Sequence, residues 1–423
     1  MPAAEHQAIA TIWRLEGARI IAGVARMVRD VGLAEELAQD ALVAALEHWP
    51  HEGIPDNTGA WLMATARNRA LDHLRKMRMQ AEKHQEIGHD LEALEALVVP
   101  DISDSIDERR SREINDDLLR LIFTACHPVL STEARVALTL KLLCGLTTEE
   151  IARAFLVPET TMAQRIVRAK RTLSEARVPF EIPVGQELAA RLASVLEVIY
   201  LVFNEGYTAT SGNDWMRPEL ANEALRLGRI LAGLAPAEPE VHGLVALMEF
   251  QSSRAAARID AEGRPVLLLD QKRSLWDPLL IRRGRQALQQ AEQLGGARGP
   301  YALQAAIAQC HANAGQASAT DWAAIVGFYE TMASVAPSPI VELNRAVAVS
   351  MASGPAAALE IVDKLMSHPR MQAYHLLPSV RADLLARLGR HAEAGVEFAR
   401  AAAMARNVRE NELLLQRARE MKS

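Results

Sequence analysis

The sequence predicts an all-α protein, and both composition and periodicity support this fold class. Of the 423 residues, 49% are hydrophobic but only 4% are aromatic. Alanine, leucine, arginine and glutamate dominate, a mixture that suits packed helices and gives sheets little to build on. Apolar residues recur at intervals of three and four in the segments described below, which is the period of an amphipathic helix. A chain of this length is expected to form roughly two to four domains.

Charge and cysteine content limit the class of protein. The net charge of -6 argues against indiscriminate coating of nucleic acid, so any DNA contact must come from local basic patches. Cys126, Cys144 and Cys310 form no C-x-x-C pair, which excludes a disulfide framework or zinc finger and fits a reducing cytosol. No apolar run approaches a membrane span and no signal sequence starts the chain, so we expect a soluble cytoplasmic protein without membrane contact. We expect neither a metal nor a cofactor.

The first two predicted helices run from about Glu5 to Arg29 and from Leu33 to Trp49, and Gly32 is expected to break the chain between them. The first buries residues at helical spacing: Ile9, Ile12, Trp13, Ile20, Val24 and Met27. The second buries Leu37, Ala41, Ala44 and Ala45. It is expected to expose a mostly acidic cluster: Glu35, Glu36, Gln39 and Asp40. Periodicity alone favours a solvated face for that cluster.

A loop from Pro50 to Gly59 is dense in turn formers, and a third long helix is expected to start at Trp61. Its predicted buried stripe is Leu62, Ala66, Ala70, Leu74 and Met77. Its other side carries Arg67, Asn68, Arg69, Asp72, Arg75, Lys76 and Arg78. These cations could serve solubility alone. They lie, however, beside amide and carboxylate groups that hydrogen-bond bases, and beside a loop with room for an unstacked base.

Residues Gln80 to Asn115 are polar and mostly acidic, which is typical of a flexible tether. Helices from Leu118 to Leu143 follow, with Cys126 and Cys144 as expected core thiols.

The stretch from Thr147 to Ala176 has the pattern of a helix-turn-helix. Thr147 and Glu150 have the spacing of a capping box, and Leu156-Val157-Pro158 ends the first helix. The second helix has a buried stripe of Met162, Ile166, Ala169 and Leu173. Its opposite face carries Thr161, Gln164, Arg165, Arg168 and Arg171, with Lys170 alongside. This division suits a recognition helix in a DNA groove, although an ordinary surface helix with a solvated basic face has the same pattern.

The segments EELAQDALVAALEHW and WLMATARNRALDHLRK, followed by the helix-turn-helix, resemble regions two and four of an extracytoplasmic-function sigma factor. Such proteins direct bacterial RNA polymerase to promoters and are not enzymes. The order and spacing of both blocks match over the chain to about Ala176. The resemblance implies region two at 5–79, an acidic linker at 80–114 that threads the RNA exit path of the polymerase, and region four at 115–177.

The resemblance also implies residue roles. The face that contacts the polymerase clamp helices would be Glu36, Gln39 and Asp40, and Trp61 would support the loop before it. Residues holding the non-template strand of the -10 element would be Ile54, Asp56, Asn57, Thr58, Arg67, Asn68, Asp72 and Arg75. Residues reading the -35 element as duplex would be Thr160, Thr161, Gln164, Arg165, Arg168 and Arg171. Pro158 departs from the pattern, because relatives commonly have a Ser or Thr cap there. Expected partners are core RNA polymerase (clamp helices and flap), promoter DNA, and an anti-sigma or other regulatory protein.

The remaining chain, 185–423, is predicted to be a tetratricopeptide-like helical domain with a regulatory role, and a group of sigma factors with such an extension resembles the whole chain. The repeat pattern rests on small and large residues at set offsets: Ala382, Leu385, Gly389, Ala394, Phe398 and Ala401. Looser copies begin near Leu343 and Ala305. Glu205, Tyr207 and Asp214 could form a catalytic cluster, but capping and loop packing are favoured because no nucleophile or metal-ligand spacing accompanies them.

Two other functions remain open at this stage. The helix-turn-helix could belong to an ordinary transcription regulator that acts without entering polymerase, with a C-terminal domain that binds a protein or ligand. An enzyme in the C-terminal half is the other alternative. It is disfavoured because G-x-S-x-G, H-E-x-x-H, Walker and dinucleotide glycine motifs are all missing from the sequence.

Overall fold

The computed structural model describes residues 2–82 and 105–421, and in this part of the chain the regular structure is helical. The only strand-like pairings among these residues are two isolated bridges, Gly212 with Asn407 and Ile259 with Pro265. The chain divides into two compact units, Met1–Ile199 and Tyr200–Ser423. The all-α prediction is confirmed. None of the described helices combines the length and the hydropathy needed to cross a bilayer.

The first unit begins with a bundle of three helices, here called the N-terminal bundle: α1 (Pro2–Val28), α2 (Val31–Glu52) and α3 (Thr58–Glu82). Alanines dominate the contact between α1 and α2, and Ala22, Ala34 and Ala41 are fully buried. Small side chains let helix backbones approach closely, so these alanines allow α1 and α2 to pack tightly. The predicted buried residues of α2 are confirmed.

The break between α1 and α2 is made by Arg29 and Asp30, so the prediction of a break at Gly32 was wrong. Arg29 adopts a left-handed φ of 54°. Asp30 caps α2, since its carboxylate accepts from the amide of Leu33 at 2.9 Å. An Asp N-cap satisfies amides that the first turn leaves free, and this local bond fixes the start of the helix. Gly32 therefore lies inside the first turn of α2.

The loop between α2 and α3 is shorter than predicted. Helix α2 continues through Pro50 to Glu52, and Gly53, with a φ of 90°, ends it. The side chain of Asn57 accepts from the amide of Ala60 at 3.0 Å and so fixes the start of α3. The predicted stripe of α3 is buried at Leu62, Ala66 and Ala70 and half-buried at Leu74, but Met77 is 55% exposed. None of the described helices therefore covers Met77.

Four helices form the second part of the unit, here called the helix-turn-helix module: α4 (Ser105–Ala125), α5 (Thr132–Leu142), α6 (Thr148–Ala154) and α7 (Glu159–Glu175). The predicted capping box is present, with Thr147 Oγ1 accepting from Glu150 N and Glu150 Oε2 accepting from Thr147 N. The predicted stripe of α7 is buried. Cys126 and Cys144 are core thiols, and burial raises the pKa of Cys126 to about 11. Most of the predicted acidic linker falls outside the described residues.

Helix α8 (Gln186–Tyr207) begins in the first unit, where its first half packs on the helix-turn-helix module. Ser194 Oγ donates to the carbonyl of Cys126 at 2.7 Å, and Arg191 donates to the carbonyl of Phe123 at 2.9 Å. Both acceptors lie at the end of α4, whose last carbonyls have no partner within the helix. This part of α8 therefore completes the module.

The second unit is a succession of helices in which neighbours along the chain pack on one another. They are α9 (Pro218–Leu234), α10 (Pro239–Ser252), α11 (Pro278–Gln293), α12 (Pro300–Asn313), α13 (Trp322–Val335), α14 (Pro339–Ala352), α15 (Pro355–Leu365), α16 (Leu376–Arg387), α17 (His391–Met404) and α18 (Val408–Glu420). Five of the six residues behind the repeat pattern are buried, including Ala382, Ala394 and Phe398, whereas Gly389 is exposed in the turn between α16 and α17. Helix pairing of this kind is what a solenoid requires, but the tetratricopeptide-like assignment remains a prediction.

The group considered as a catalytic cluster in the second unit has packing roles. Glu205 pairs with Arg217 and accepts from Thr210 Oγ1 at 2.8 Å, so its carboxylate closes the loop after α8. The guanidinium of Arg258 lies over the Tyr207 ring, 3.4 Å from its centroid. The carbonyl of Asp214 accepts from the amide of Asn407, whose side chain joins this loop to the start of α18. These contacts agree with the capping and packing interpretation.

Candidate nucleic-acid interface

The exposed face of α3 carries the mixed charges that the sequence placed there. Asn68, Asp72 and Arg75 are exposed and Arg67 is half-buried. Arg75 lies 3.5 Å from Asp72 in an exposed ion pair, which holds the two side chains only weakly. A hydrogen-bonding amide, a carboxylate and arginines therefore share one accessible surface on a rigid helix.

Two tryptophans flank the loop before α3, one at the end of α2 and one at the start of α3. Trp49 and Trp61 contact edge to face with ring centroids 5.3 Å apart. Trp49 is buried and Trp61 is half-buried, so Trp49 is the deeper of the two rings, and the sequence analysis assigned it no role. In the loop between them Ile54, Asp56 and Asn57 are exposed, while Thr58 is half-buried at the start of α3. Since Asn57 caps α3, part of this loop is fixed by the helix it precedes.

The outer face of α7 is polar and cationic. Thr160, Thr161, Gln164, Arg168 and Arg171 are exposed, and Arg165 is half-buried. Arg171 donates to Glu175 at 2.6 Å, so part of its charge is balanced within the helix. Together with residues at the start of α5, Gln164, Arg165 and Arg168 line an open cavity with a volume of about 360 Å³. Pro158 occupies the N-cap position of α7 and provides no side-chain cap, as its sequence implies.

Lys170 is the exception on α7, because it pairs with Glu35 of the N-terminal bundle. The expectation that Glu35 is exposed was wrong: it is 2% exposed, with Lys141 Nζ at 3.9 Å as a second cation. Gln39 also donates to its Oε1 at 2.7 Å. A buried carboxylate needs such partners, since desolvation without them is costly. Glu35 therefore joins α2 to the helix-turn-helix module.

Two further ion pairs join α1 to the helix-turn-helix module. Arg14 lies 2.5 Å from Glu150, and Arg26 lies 3.4 Å from the buried Asp117. The pKa of Glu150 is lowered: the hydrogen bonds from Thr147 and the charge of Arg14 outweigh the desolvation that would raise it. The bundle and the module are thus held together by charged contacts that no local pattern revealed.

The rest of the acidic cluster on α2 is accessible. Glu36 and Asp40 are exposed, and Asp40 lies 3.3 Å from Arg69 of α3. Gln39 is exposed apart from its bond to Glu35. The cluster therefore divides into one buried residue that holds the unit together and three that remain available to a partner.

Comparison with known proteins agrees with this geometry. Residues 13–79 match the sigma-70 region 2 family, and residues 120–173 match the sigma-70 region 4 family. A probable ECF RNA polymerase sigma factor, SigI, of Mycobacterium tuberculosis is 28% identical over 184 residues, which are 43% of this chain and 60% of that relative. The chain belongs to the extracytoplasmic-function sigma factors of the sigma-70 family.

A second relative matches this sigma factor along almost its full length. An uncharacterized protein of Rhizobium meliloti is 44% identical over 388 residues, covering 91% of this chain and 89% of the relative. Residues 191–292 match a family of unknown function, DUF6596. All the residues proposed above for polymerase, -10 and -35 contacts lie inside the two sigma-70 matches.

Proposed function

We propose that this sigma factor binds core RNA polymerase in the cytoplasm, recognises -35 and -10 promoter elements and promotes DNA melting. One observation carries the proposal. The two matched regions each present an accessible surface of the required chemistry: the mixed face of α3 beside a loop flanked by two contacting tryptophans, and the cationic face of α7.

Capture of the -10 element is proposed for the α3 face and its loop. Unstacking a base costs a few kcal/mol, and a surface that holds the extruded base offsets that cost. Asn68 and Asp72 supply hydrogen-bonding groups, and Arg67 and Arg75 supply charge for the strand backbone. Backbone neutralisation makes such binding fall steeply with salt. Ile54, exposed on the loop, offers an apolar contact for an unstacked base.

Recognition of the -35 element is proposed for α7. Gln164, Arg165 and Arg168 share one helix face, and bidentate contacts from such side chains to base edges distinguish bases in the major groove. Thr160 and Thr161 lie in the first turn. Because Pro158 provides no side-chain cap, the amides of Glu159 and Thr160 make no hydrogen bond within the described residues and remain available to a phosphate.

Contact with the polymerase clamp helices is proposed for Glu36, Gln39 and Asp40 on α2, which remain accessible beside the buried Glu35.

The C-terminal helical domain is proposed to regulate the factor, alone or together with an anti-sigma or other regulatory protein. Comparing promoter output of the full chain with that of a chain ending after Ile199 tests this regulation. The shorter end point keeps Arg191 and Ser194, which bond the end of α4. Unchanged output and unchanged core binding would refute it.

Transcription from a library of genomic fragments by core polymerase reconstituted with the purified chain tests the proposed function directly. We expect initiation at defined start sites. Asn68→Ala and Arg165→Ala should each lower initiation about tenfold, since a base contact is worth about 1–3 kcal/mol. The matched control is Arg298→Ala, an exposed arginine of the second unit. Retention on duplex DNA without any association with core polymerase would favour an ordinary helix-turn-helix regulator.

A further inference from the structure

A cavity of about 760 Å³ lies in the first unit, between the α1–α2 turn, α4 and the end of α7. We call it the arginine chamber. Its wall carries five cationic side chains: Arg26, Arg29, Arg120, Lys170 and Arg177. Asp30 and Glu181 are the acidic residues in the wall, and Asp30 is engaged as the cap of α2. The cavity has the size of an ordinary ligand site, about 300–1,000 Å³.

Three of the cations are held in place by buried carboxylates. Asp117, whose side chain is 4% exposed, lies 3.4 Å from Arg26 and 2.6 Å from Arg120. Lys170 pairs with Glu35. These pairs balance much of the charge of the three cations but also fix where they point, and fixed donors lose little entropy when a ligand binds.

Arg29 and Arg177 differ from the other three. Both side chains are exposed, and neither has a hydrogen bond or an ion pair within the described residues. Both backbones are left-handed, with φ of 54° and 49°, and only Leu156 shares this conformation among the described non-glycine residues. Each follows a helix end, where glycine is the usual residue because a Cβ is disfavoured there. Arginine at both strained positions points to a need for the side chain, since strain of this kind concentrates at ligand sites.

Part of the remaining wall is apolar. Leu173, Val178 and the half-buried Phe180 line the chamber beside the two arginines. Guanidinium groups bind phosphate oxygens with paired donors, and an aromatic wall suits a flat heterocycle. We propose that the arginine chamber binds a nucleoside polyphosphate, with its phosphates on Arg29 and Arg177 and its base against Phe180.

The chamber draws its groups from two parts of the unit. Arg29 follows α1 of the N-terminal bundle, while Lys170 and Arg177 belong to α7 and the segment after it. A ligand that contacts both therefore binds only while the bundle and the helix-turn-helix module stay together, and it stabilises that arrangement by mass action. The proposal does not depend on the function proposed above.

Calorimetric titration of the full chain with ATP, GTP, pyrophosphate and inorganic phosphate, at constant ionic strength, tests the proposal. We expect saturable binding of a nucleoside triphosphate that is at least tenfold tighter than that of pyrophosphate. Arg29→Gly and Arg177→Gly remove the guanidinium but suit the left-handed backbone, so they should weaken binding at least tenfold without lowering the unfolding temperature. Arg298→Ala should bind like the native chain.

Four outcomes would overturn the proposal. One is the lack of saturable nucleotide binding to the native chain. Another is an affinity for pyrophosphate equal to that for the nucleoside triphosphates, which would show that the apolar wall does not contribute to binding. A third is unchanged affinity in the Arg29→Gly/Arg177→Gly chain. The last is a result in which these two substitutions weaken the binding of duplex DNA and leave nucleotide binding unchanged, which would assign the arginines to the DNA backbone.

Discussion

Replacing Glu35 with glutamine is expected to loosen the contact between α2 and the helix-turn-helix module. The substitution keeps the shape of the side chain and removes one negative charge. Glu35 pairs with Lys170 and lies 3.9 Å from Lys141, and its side chain is 3% exposed. After the change, two ammonium groups face each other across a neutral amide.

The size of the effect follows from burial. Removing one partner of a fully buried ion pair costs about 3–5 kcal/mol, because the other charge is left without compensation. Both lysine side chains are 19% exposed, so each can regain part of its hydration by moving toward solvent. Glutamine also keeps a hydrogen-bonding oxygen. We therefore expect a loss of about 1–3 kcal/mol in the free energy that holds the bundle and the module together.

Hydrogen-exchange mass spectrometry on the full chain measures this loss where it occurs. A change of about 1–3 kcal/mol corresponds to roughly 5–150-fold faster exchange of amides protected by the contact. We expect the effect in α2 and α7 and none in the second unit. Glu175→Gln is the control, because its pair with Arg171 on the same helix is exposed and screened by solvent.

A double-mutant cycle decides whether the charge pair is responsible. Lys170→Gln combined with Glu35→Gln should lose less than the sum of the two single changes, since each change removes the same attraction. The prediction would be contradicted if the free-energy losses of the two single substitutions were additive. It would also be contradicted if the exchange rates of the α7 amides were the same in the Glu35→Gln chain as in the native chain.

Three further predictions concern packing and titration. Gly206→Ala should destabilise the chain by about 1–3 kcal/mol in urea unfolding, because the new Cβ would overlap backbone atoms of the following helix, whereas Gly233→Ala meets open space in α9 and should be neutral or stabilising. Burial lowers the pKa of His311 to about 4, so the unfolded chain binds more protons than the folded chain between about pH 6.5 and 4. The free energy of unfolding should therefore fall by about 2–3 kcal/mol as the pH is lowered across that window. His311→Gln should abolish most of this loss, and an unchanged pH profile in that variant would contradict the prediction. Because burial raises the pKa of Cys126 to about 11, its thiol should react with iodoacetamide at pH 8 only after denaturation, and peptide mapping of labelled native protein checks this.

The parts of the fold that local chemistry determines could be predicted from the sequence. The capping box of α6 and the buried stripe of α7 each depend on residues of a single helix and its cap, so their spacing is sufficient evidence. The same holds for the buried face of α2. The end of α2 was misplaced because Pro50 is a strong turn signal, yet the helix continues to Glu52 and Gly53 ends it.

The candidate surfaces were predicted better than the contact between them. Asn68 and Arg168 are exposed because the apolar stripes on the opposite sides of their helices determine which face is buried. Glu35 lies in a mostly acidic cluster on α2 whose spacing predicts a solvated face, but two lysines far along the chain, Lys141 and Lys170, pair with it in the folded protein. Long-range charge pairing has no period in the sequence, so a buried carboxylate of this kind cannot be recognised from spacing. Trp49 was overlooked for a related reason, since its partner Trp61 lies across the loop.

The position of Glu35 also links the internal contact to the proposed polymerase surface. Gln39, one of the residues proposed to contact polymerase, donates to Glu35, and α7 covers the same side of α2. If polymerase binds α2 only after α7 has moved away, binding must offset the free energy that joins the bundle and the module. Glu35→Gln lowers that free energy by about 1–3 kcal/mol and should then tighten association with core polymerase by roughly 5–150-fold. Faster exchange in α7 with unchanged affinity for core polymerase would show that the two surfaces are occupied independently.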